Sequence, residues 1–274
     1  MNSVEQGVTE TRLDLWLDEA PRSWQEILKL FVEVGEKLAA AHDKGVLFQE
    51  IRIDNIVVGS DGRGDVRELK PAILDTPKIG PGNRAPPPRT AAIPLEQSLA
   101  EMKSTESVTY LAPEQFRGRA ADARSNQFSY GVALYRALYR QPPYDHEWAV
   151  SQAGESRRTP LGSIHFNLLI QSFDRATLIN LAREVLSGNL RPPPEDTTVP
   201  VWLELTLRRV LQADPEERYP TMRSLLDELT KPLQAPGRPG PVGLPGLPRW
   251  VVAGGVGMLV LLLGLAAIWF MRPR

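Results

Sequence analysis

The sequence contains no cysteine, which excludes disulfides, thiolate nucleophiles and cysteine-ligated zinc and is compatible with a reducing compartment. Only three histidines occur, His42, His146 and His165, and their scattered positions lack the spacing of a metal site. Neither sign of charge is in excess, because 32 lysines and arginines face 33 aspartates and glutamates for a net charge of −1. Without an overall basic field, we expect no nucleic-acid partner.

A long apolar run lies near the C-terminus, whereas the N-terminus lacks the charged start and apolar stretch of a secretory signal. Residues 250–270 read WVVAGGVGMLVLLLGLAAIWF, an uncharged run long enough to cross about 30 Å of hydrocarbon. Trp250 and Trp269 would lie at the two interfaces. The alternative is a buried core helix. Arginines flank both ends and leave orientation open, but we expect a single-pass inner-membrane protein whose large N-terminal part is cytoplasmic.

Composition predicts how the chain is divided. Residues 1–10 are polar and are expected to be disordered, and residues 11–232 have the apolar content of a folded domain. Residues 233–249, LQAPGRPGPVGLPGLPR, alternate proline and glycine too densely for helix or strand and are predicted to be a linker. The membrane helix at 250–270 then follows, with a short tail at 271–274.

Helical signals dominate the domain. Ser23 and Glu26 have the spacing of a capping box, and apolar residues recur at helical intervals after them until Gly45. The stretch from Asn126 to Tyr139 is apolar on nearly every side, which predicts a central buried helix. Two more amphipathic helices are predicted after Pro200 and Thr221, VWLELTLRRVLQ and MRSLLDELT.

Strand signals are few. They occur at Ile56–Val58, at Val66–Leu69 and at Ala72–Leu74, with the turn GSDGRG between the first two. The glycines of this turn are not followed by a helix, so they predict a hairpin and not a phosphate-binding loop. We therefore predict a mainly α domain with one small β-ribbon.

Ordered motifs along the chain resemble those of a known family. The stretch LFQEIRIDNIVV at Leu47–Val58 resembles the catalytic loop of protein kinases, and LDT at Leu74–Thr76 resembles their magnesium-binding motif. Further landmarks follow in the family's order, namely TYLAPEQ, ARSNQFSYGVALYRALYRQPPY and ADPEERYPTM. Residues 8–235 are thus similar to the C-terminal lobe of bacterial serine/threonine kinases of the eukaryotic type. An ordinary polar loop at Leu47–Val58 would predict no such ordered landmarks. The resemblance implies a helical, kinase-like C-lobe (α+β).

The resemblance assigns roles to five positions. Asn55 and Asp75 stand at the magnesium-binding positions, and Arg52 stands where the family has a phosphate-contacting lysine. Glu50 replaces the aspartate that accepts the substrate proton, and its extra methylene moves the carboxylate by more than an ångström, which costs about 100-fold in rate. Asn126 replaces an aspartate that anchors the catalytic loop, and a neutral amide accepts more weakly. These residues are expected to be remnants of a catalytic site.

Other family positions carry structural residues. Glu114 and Arg218 match a buried ion pair that ties the activation segment to the lobe, with two unrelated surface charges as the alternative. Ser107 and Thr109 lie in the segment that resembles the activation segment, where they are either phosphorylation sites or ordinary polar residues. The family's N-terminal lobe, with its glycine-rich loop and strand lysine, would precede Thr11 and is not seen.

Three functional hypotheses follow. The first is a membrane-anchored pseudokinase that needs no cofactor and binds a protein partner, an active kinase or its substrate. The second is an active serine/threonine kinase that uses ATP and Mg²⁺, with Glu50 as the base and the N-terminal lobe missing from this chain or supplied in trans. The third is a nonfunctional gene fragment, which predicts an insoluble or proteolysed protein.

Overall fold

The structure is a computed structural model that describes residues 10–49, 51–66, 71–72, 93, 105–145 and 175–234. The chain separates into two compact units, residues 1–233 and 234–274. The predicted membrane helix at 250–270 lies outside the described residues, as do residues 1–9, nearly all of the linker, and two predicted site residues, Glu50 and Asp75. Within the described ranges, no helix is both long enough and apolar enough to cross a membrane.

The first unit is mainly helical, which confirms the predicted fold class at that level. Its described helices are, in chain order, α1 (Leu13–Glu19), α2 (Trp24–His42), α3 (Thr105–Val108), α4 (Pro113–Phe116), α5 (Ala123–Tyr139), α6 (Arg175–Ser187), α7 (Val201–Val210) and α8 (Met222–Gln234), with a 3₁₀ turn at Pro215–Glu217.

In the part of the chain that the structure describes, five two-residue strands form two small antiparallel sheets. They are β1 (Thr11–Arg12), β2 (Leu47–Phe48), β3 (Val57–Val58), β4 (Gly64–Asp65) and β5 (Pro71–Ala72). One sheet has the order β1-β3-β4 and the other pairs β2 with β5. Sequence patterns did not predict β1, because two residues are too short to show a period of two.

Helix α2 forms as its sequence predicts. The Ser23 hydroxyl accepts from the Glu26 backbone N–H at 3.3 Å, and the Glu26 carboxylate accepts from the Ser23 N–H at 2.9 Å, so both halves of the capping box are present. The apolar face that follows is buried, and Gly45, at a φ of 73°, lies just beyond the helix end. One helix face is thereby fixed against the core.

Helix α5 is the centre of the domain. It begins at Ala123, three residues earlier than the predicted Asn126, because the Asp122 carboxylate caps the first turn by accepting from two backbone N–H groups at 2.8 and 3.0 Å. A Cβ added at Gly131 would lie 2.4 Å from Val210 Cγ1, so α5 and α7 touch at a point where only glycine fits. Most residues of the helix are buried, which explains why its sequence shows little amphipathicity.

The β3–β4 hairpin begins its return strand earlier than predicted. The GSDGRG turn is confirmed and the second arm pairs with β3 at Gly64–Asp65, whereas residues 67–69 of the predicted arm lie outside the described residues. Gly64 packs against α2, where an added Cβ would lie 2.8 Å from Val34 Cγ2, and its N–H donates to Glu33 Oε2 at 3.1 Å. The contact of Gly64 with α2 therefore determines where the pairing of β4 with β3 begins. Strand propensity alone does not predict this contact.

Helix α5 ends in an unusual conformation. Its C-cap, Arg140, has a φ of 54° and is the only non-glycine residue with positive φ in the described part of the chain. The left-handed conformation costs about 1–2 kcal/mol for an ordinary residue. Arg140 forms an ion pair with Asp18 of α1, but their side chains are 48% and 64% exposed and such a pair contributes only about 0–1 kcal/mol. The ion pair therefore does not offset the conformational cost.

Candidate functional site

The loop between β2 and β3 is held by Arg52, which is buried. Its Nε donates to Asp54 Oδ1 at 2.8 Å, a terminal nitrogen binds the other Asp54 oxygen, and the second terminal nitrogen binds Ser107 Oγ. Burial alone would raise the pKa of the Asp54 carboxyl, but its hydrogen bonds and ion pair with Arg52 outweigh that effect and lower the pKa. Arg52 is thus an internal link between this loop and the segment that contains Ser107.

The predicted magnesium residues are only partly placed. Asn55 is half-buried and its backbone N–H donates to the Arg52 carbonyl at 3.1 Å, which closes a tight turn in the loop. Asp75 and Glu50 lie outside the described residues, so their roles stay predictions. In the ranges that the structure describes, no group of three or more potential metal ligands occurs.

Asn126 anchors the loop from the first turns of α5. Its Oδ1 accepts from the Phe48 N–H at 2.9 Å, and its Nδ2 donates to the Phe48 carbonyl at 2.7 Å. A carboxylate could make the first bond and not the second. The amide therefore compensates for its weaker acceptor by pairing with both backbone groups of Phe48.

The same amide oxygen binds His42 at the end of α2. His42 Nε2 lies 3.1 Å from Asn126 Oδ1 and acts as the donor, because this oxygen only accepts. The other ring nitrogen, Nδ1, is buried and has no hydrogen-bond partner in the described structure. Burial lowers the pKa of the His42 imidazole, since a second proton would sit on a buried nitrogen.

Glu114 and Arg218 meet in the core although 104 residues separate them. Arg218 donates to both carboxylate oxygens, at 3.0 and 2.9 Å, and the two side chains are 0% and 6% exposed. The remaining Arg218 bonds reach the Gln212 and Arg124 carbonyls, at 2.9 and 3.0 Å, and Ser125 Oγ donates to Glu114 at 2.6 Å. All three guanidinium nitrogens of Arg218 and both carboxylate oxygens of Glu114 are hydrogen-bonded, so the buried charges are compensated, and the pair connects α4, α5 and the turn before α8.

The predicted activation-segment residues differ in their surroundings. Ser107 is 2% exposed and its hydroxyl is held by Arg52, so it is inaccessible to a modifying enzyme unless the segment opens. Thr109 is half-buried, and its Oγ1 lies 3.5 Å from Arg136 NH1. The segment is anchored further by Ser129 of α5, whose Oγ donates to the Tyr110 carbonyl at 2.8 Å.

Sequence analysis missed a cleft beside the loop. This mixed-charge cleft has a volume of about 240 Å³ and is lined by Asp14, Asp18, Ile53, Arg136, Arg140, Gln141 and Pro142. Its charged residues come from α1 and from the end of α5, which are more than 100 residues apart in the chain. The sequence places an arginine, Arg140, after helix α5 at a position where glycine is usual. Only the structure shows that Arg140 adopts the left-handed conformation for which glycine is preferred there.

Comparison with known proteins supports the kinase resemblance. The chain is 33% identical over 118 residues to the serine/threonine-protein kinase pkn2 of Myxococcus xanthus, covering 43% of this chain and 13% of that protein. It is 30% identical over 122 residues to the probable serine/threonine-protein kinase PknB of Corynebacterium glutamicum, covering 44% and 16%. It is 22% identical over 223 residues to the serine/threonine-protein kinase PknB of Mycobacterium leprae, covering 81% and 28%.

These matches define the class at a coarse level. Part of the chain is similar to bacterial serine/threonine protein kinases, and the helical fold is consistent with the C-terminal lobe of a kinase. The chain spans less than a third of the length of each of these three relatives. No protein-family model matches the chain.

Proposed function

We propose that this chain is a membrane-anchored, kinase-like module that binds a protein partner and regulates phosphosignalling, with impaired phosphotransfer of its own. The observation that carries the proposal is the state of Arg52. This residue stands at a phosphate-contacting position by resemblance, yet its guanidinium is buried and bound to Asp54 and Ser107. A phosphate would have to displace both partners from an arginine side chain that is only 11% exposed, and breaking this partly buried pair costs more than breaking an exposed one.

The contacts around the loop that contains Arg52 support the proposal that this part of the chain serves as a structural scaffold. Asn126 pairs with both backbone groups of Phe48, and Arg218 ties Glu114 to the core. These contacts preserve the shape of the loop and its neighbouring segment without requiring a nucleotide. The proposed partner is a protein of the same signalling system, an active kinase or its substrate, and no cofactor is required.

An active serine/threonine kinase is the second candidate, and the similarity to proteins named as such kinases favours it. In that case Glu50 is the base, and Asn55 and Asp75 hold the Mg²⁺ of bound ATP. Both candidates share the same scaffold and differ in whether a phosphoryl group is transferred.

A phosphotransfer assay separates the two candidates. The full chain, purified in mild detergent, is incubated with γ-labelled ATP and Mg²⁺, with and without a generic protein substrate. We expect no incorporation above that of a heat-denatured sample and no ATP-dependent rise in melting temperature. Incorporation that Glu50→Ala abolishes, while Glu36→Ala at an exposed position of α2 preserves it, would overturn the proposal in favour of the active kinase.

The membrane anchor is tested separately. We propose that residues 250–270 hold the protein in the inner membrane with its N-terminal domain in the cytoplasm. When the full chain is expressed in a bacterium, it should remain in the membrane pellet after alkaline carbonate extraction, and deletion of residues 250–270 should release it. Extraction of the full chain into the supernatant would contradict the anchor.

A further inference from the structure

Helix α7 carries an exposed apolar surface. The described part of the chain has three exposed large apolar side chains, and two of them, Val201 at 66% and Leu205 at 60%, lie one turn apart on α7. Trp202 is half-buried beside Val201 and packs edge-on against the half-buried Trp24 of α2, with ring centroids 6.1 Å apart. We call these four side chains the α7 face. Apolar residues that are exposed singly are ordinary, whereas neighbouring ones indicate a contact site.

The α7 face is too short to be the seam between two helices. Paired helices need apolar residues that recur over several turns. The residue one turn beyond Leu205 on the same side of α7 is Arg209, which is exposed and polar. A stable protein–protein interface also buries about 800 Å² on each partner, and four side chains, two of them half-buried already, fall short of that area.

The charges around the α7 face do not select a charged partner. Glu204 and Arg208 neutralise each other through a hydrogen bond of 2.8 Å between side chains one turn apart. The Arg209 guanidinium lies over the Tyr219 ring, 4.2 Å from its centroid. With opposite charges already paired along this helix, attraction to the face comes from the burial of apolar surface and not from net charge.

The apolar surface that the chain itself brings near is a lipid bilayer. Helix α8 ends at Gln234, and the 15 residues 235–249 of the predicted linker span about 45 Å when extended. Because α8 begins three residues after Tyr219 and its 13 residues span about 20 Å, its end lies within about 30 Å of the contact between Arg209 and Tyr219. The linker is therefore long enough for α7 to reach the membrane in which residues 250–270 are proposed to insert.

We propose that the α7 face lies against the lipid bilayer, with Val201 and Leu205 among the acyl chains and Trp24 and Trp202 at the level of the headgroups. Tryptophan is enriched at this level of a membrane. A short tether holds the domain near the bilayer at an effective concentration in the millimolar range, so a few apolar side chains suffice for the contact. This inference rests on the membrane anchor proposed above and adds which face of the domain meets the membrane.

The contact also orients the candidate site. Trp24 is the first residue of α2, and His42, which binds Asn126 beside the loop that contains Arg52, is the last. A helix of 19 residues is about 28 Å long, so this loop and the α7 face lie at opposite ends of α2. A domain held through the α7 face keeps the loop about one helix length from the point of membrane contact, which leaves room for a protein partner.

Single cysteines test the proposal, because the natural chain has none. In the full chain, Leu205→Cys is labelled with an environment-sensitive fluorophore and reconstituted in phosphatidylcholine vesicles with or without nitroxide-labelled lipid. The matched control is Ser60→Cys, at an exposed position of the β3–β4 turn. We expect the nitroxide lipid to quench the label at position 205 roughly threefold more than the label at position 60. High salt should leave this difference unchanged, because the contact is apolar.

A second substitution separates membrane contact from folding. Val201 is exposed at the first residue of α7, so Val201→Asp should not lower the melting temperature. An aspartate is unfavourable among acyl chains, so in this variant the quenching at position 205 should fall to that at position 60. Ser60→Asp adds the same charge away from the α7 face and should leave the quenching at position 205 as it was.

Flotation of the vesicles distinguishes failure of the contact from failure of the anchor. Equal quenching at positions 205 and 60 in a chain that floats with the vesicles would refute the contact and leave the anchor standing. A chain that does not float with them would refute both. A label at position 205 whose emission shifts to shorter wavelength without quenching would show that a second copy covers the face, and quenching that Val201→Asp leaves unchanged would show that the label alone enters the bilayer; either result overturns the proposal.

Discussion

Replacing Glu114 with alanine would leave the Arg218 guanidinium buried without its carboxylate. The side chain of Arg218 is fully buried and that of Glu114 is 6% exposed, so water cannot take over the lost contact. We expect this substitution to remove a large part of the stability of the domain, because an unpaired charge in the core is costly.

The magnitude follows from the contacts. Arg218 makes two hydrogen bonds to Glu114, and hydrogen bonds to charged groups contribute about 1.5–3 kcal/mol each. Removing one partner of a buried ion pair costs about 3–5 kcal/mol, which agrees with the sum of the contributions of these two hydrogen bonds. The free energy of unfolding of a domain is about 5–15 kcal/mol, so the loss is a substantial fraction. For a domain of this size it corresponds to a fall of roughly 6–20 °C in melting temperature.

The measurement is urea unfolding of the full chain in mild detergent, followed by tryptophan fluorescence. The control is Glu216→Ala, which removes an 80% exposed partner of Arg124 and should change the unfolding free energy by less than about 1 kcal/mol. A double replacement of Glu114 and Arg218 by methionine and leucine should recover most of the loss, because the buried charge is removed as well. If Glu114→Ala costs no more than Glu216→Ala, the assignment of this pair as a core element is wrong.

Three further predictions concern other parts of the domain. Gly131→Ala should lower the unfolding free energy by about 1–3 kcal/mol through overpacking, because the added Cβ would lie 2.4 Å from Val210; urea unfolding measures it. The unfolding free energy should fall as pH drops below about 6.5, because His42 has a lowered pKa and the unfolded state binds the proton more readily; urea titrations across pH 5–8 measure it. Arg140→Gly should raise the melting temperature, because the released strain of about 1–2 kcal/mol exceeds the lost surface pair.

Each of these has its own control. Gly62→Ala should be strained by its backbone alone, since nothing lies within 4 Å of its Cβ position, and so it separates strain from overpacking. His42→Gln should flatten the acid slope, and an unchanged slope would assign it to other groups. Arg140→Ala keeps the left-handed strain and loses the ion pair, so it should not be stabilised; equal melting temperatures for the alanine and glycine variants would refute the strain argument.

The candidate site could be predicted only in part. The positions of Arg52, Asn126, Glu114 and Arg218 follow from ordered motifs, because their spacing along the chain survives in the sequence. Their partners do not follow from it. That Arg52 binds Asp54 and Ser107, and that Asn126 uses both ends of its amide, depends on where separate segments meet in space.

By itself the sequence determined the elements whose causes are local. The capping box of α2, the buried character of α5 and the tight turn between β3 and β4 each arise from residues within a few positions of one another, so composition and spacing predict them.

Only the tertiary structure decided the start of β4, the bonds of Arg218 and the mixed-charge cleft. These depend on contacts between residues tens to more than a hundred positions apart, such as Asp18 and Arg140, and the geometry of such contacts is set by how the helices pack. A local pattern carries no information about which distant surface it will face, and packing supplies that information.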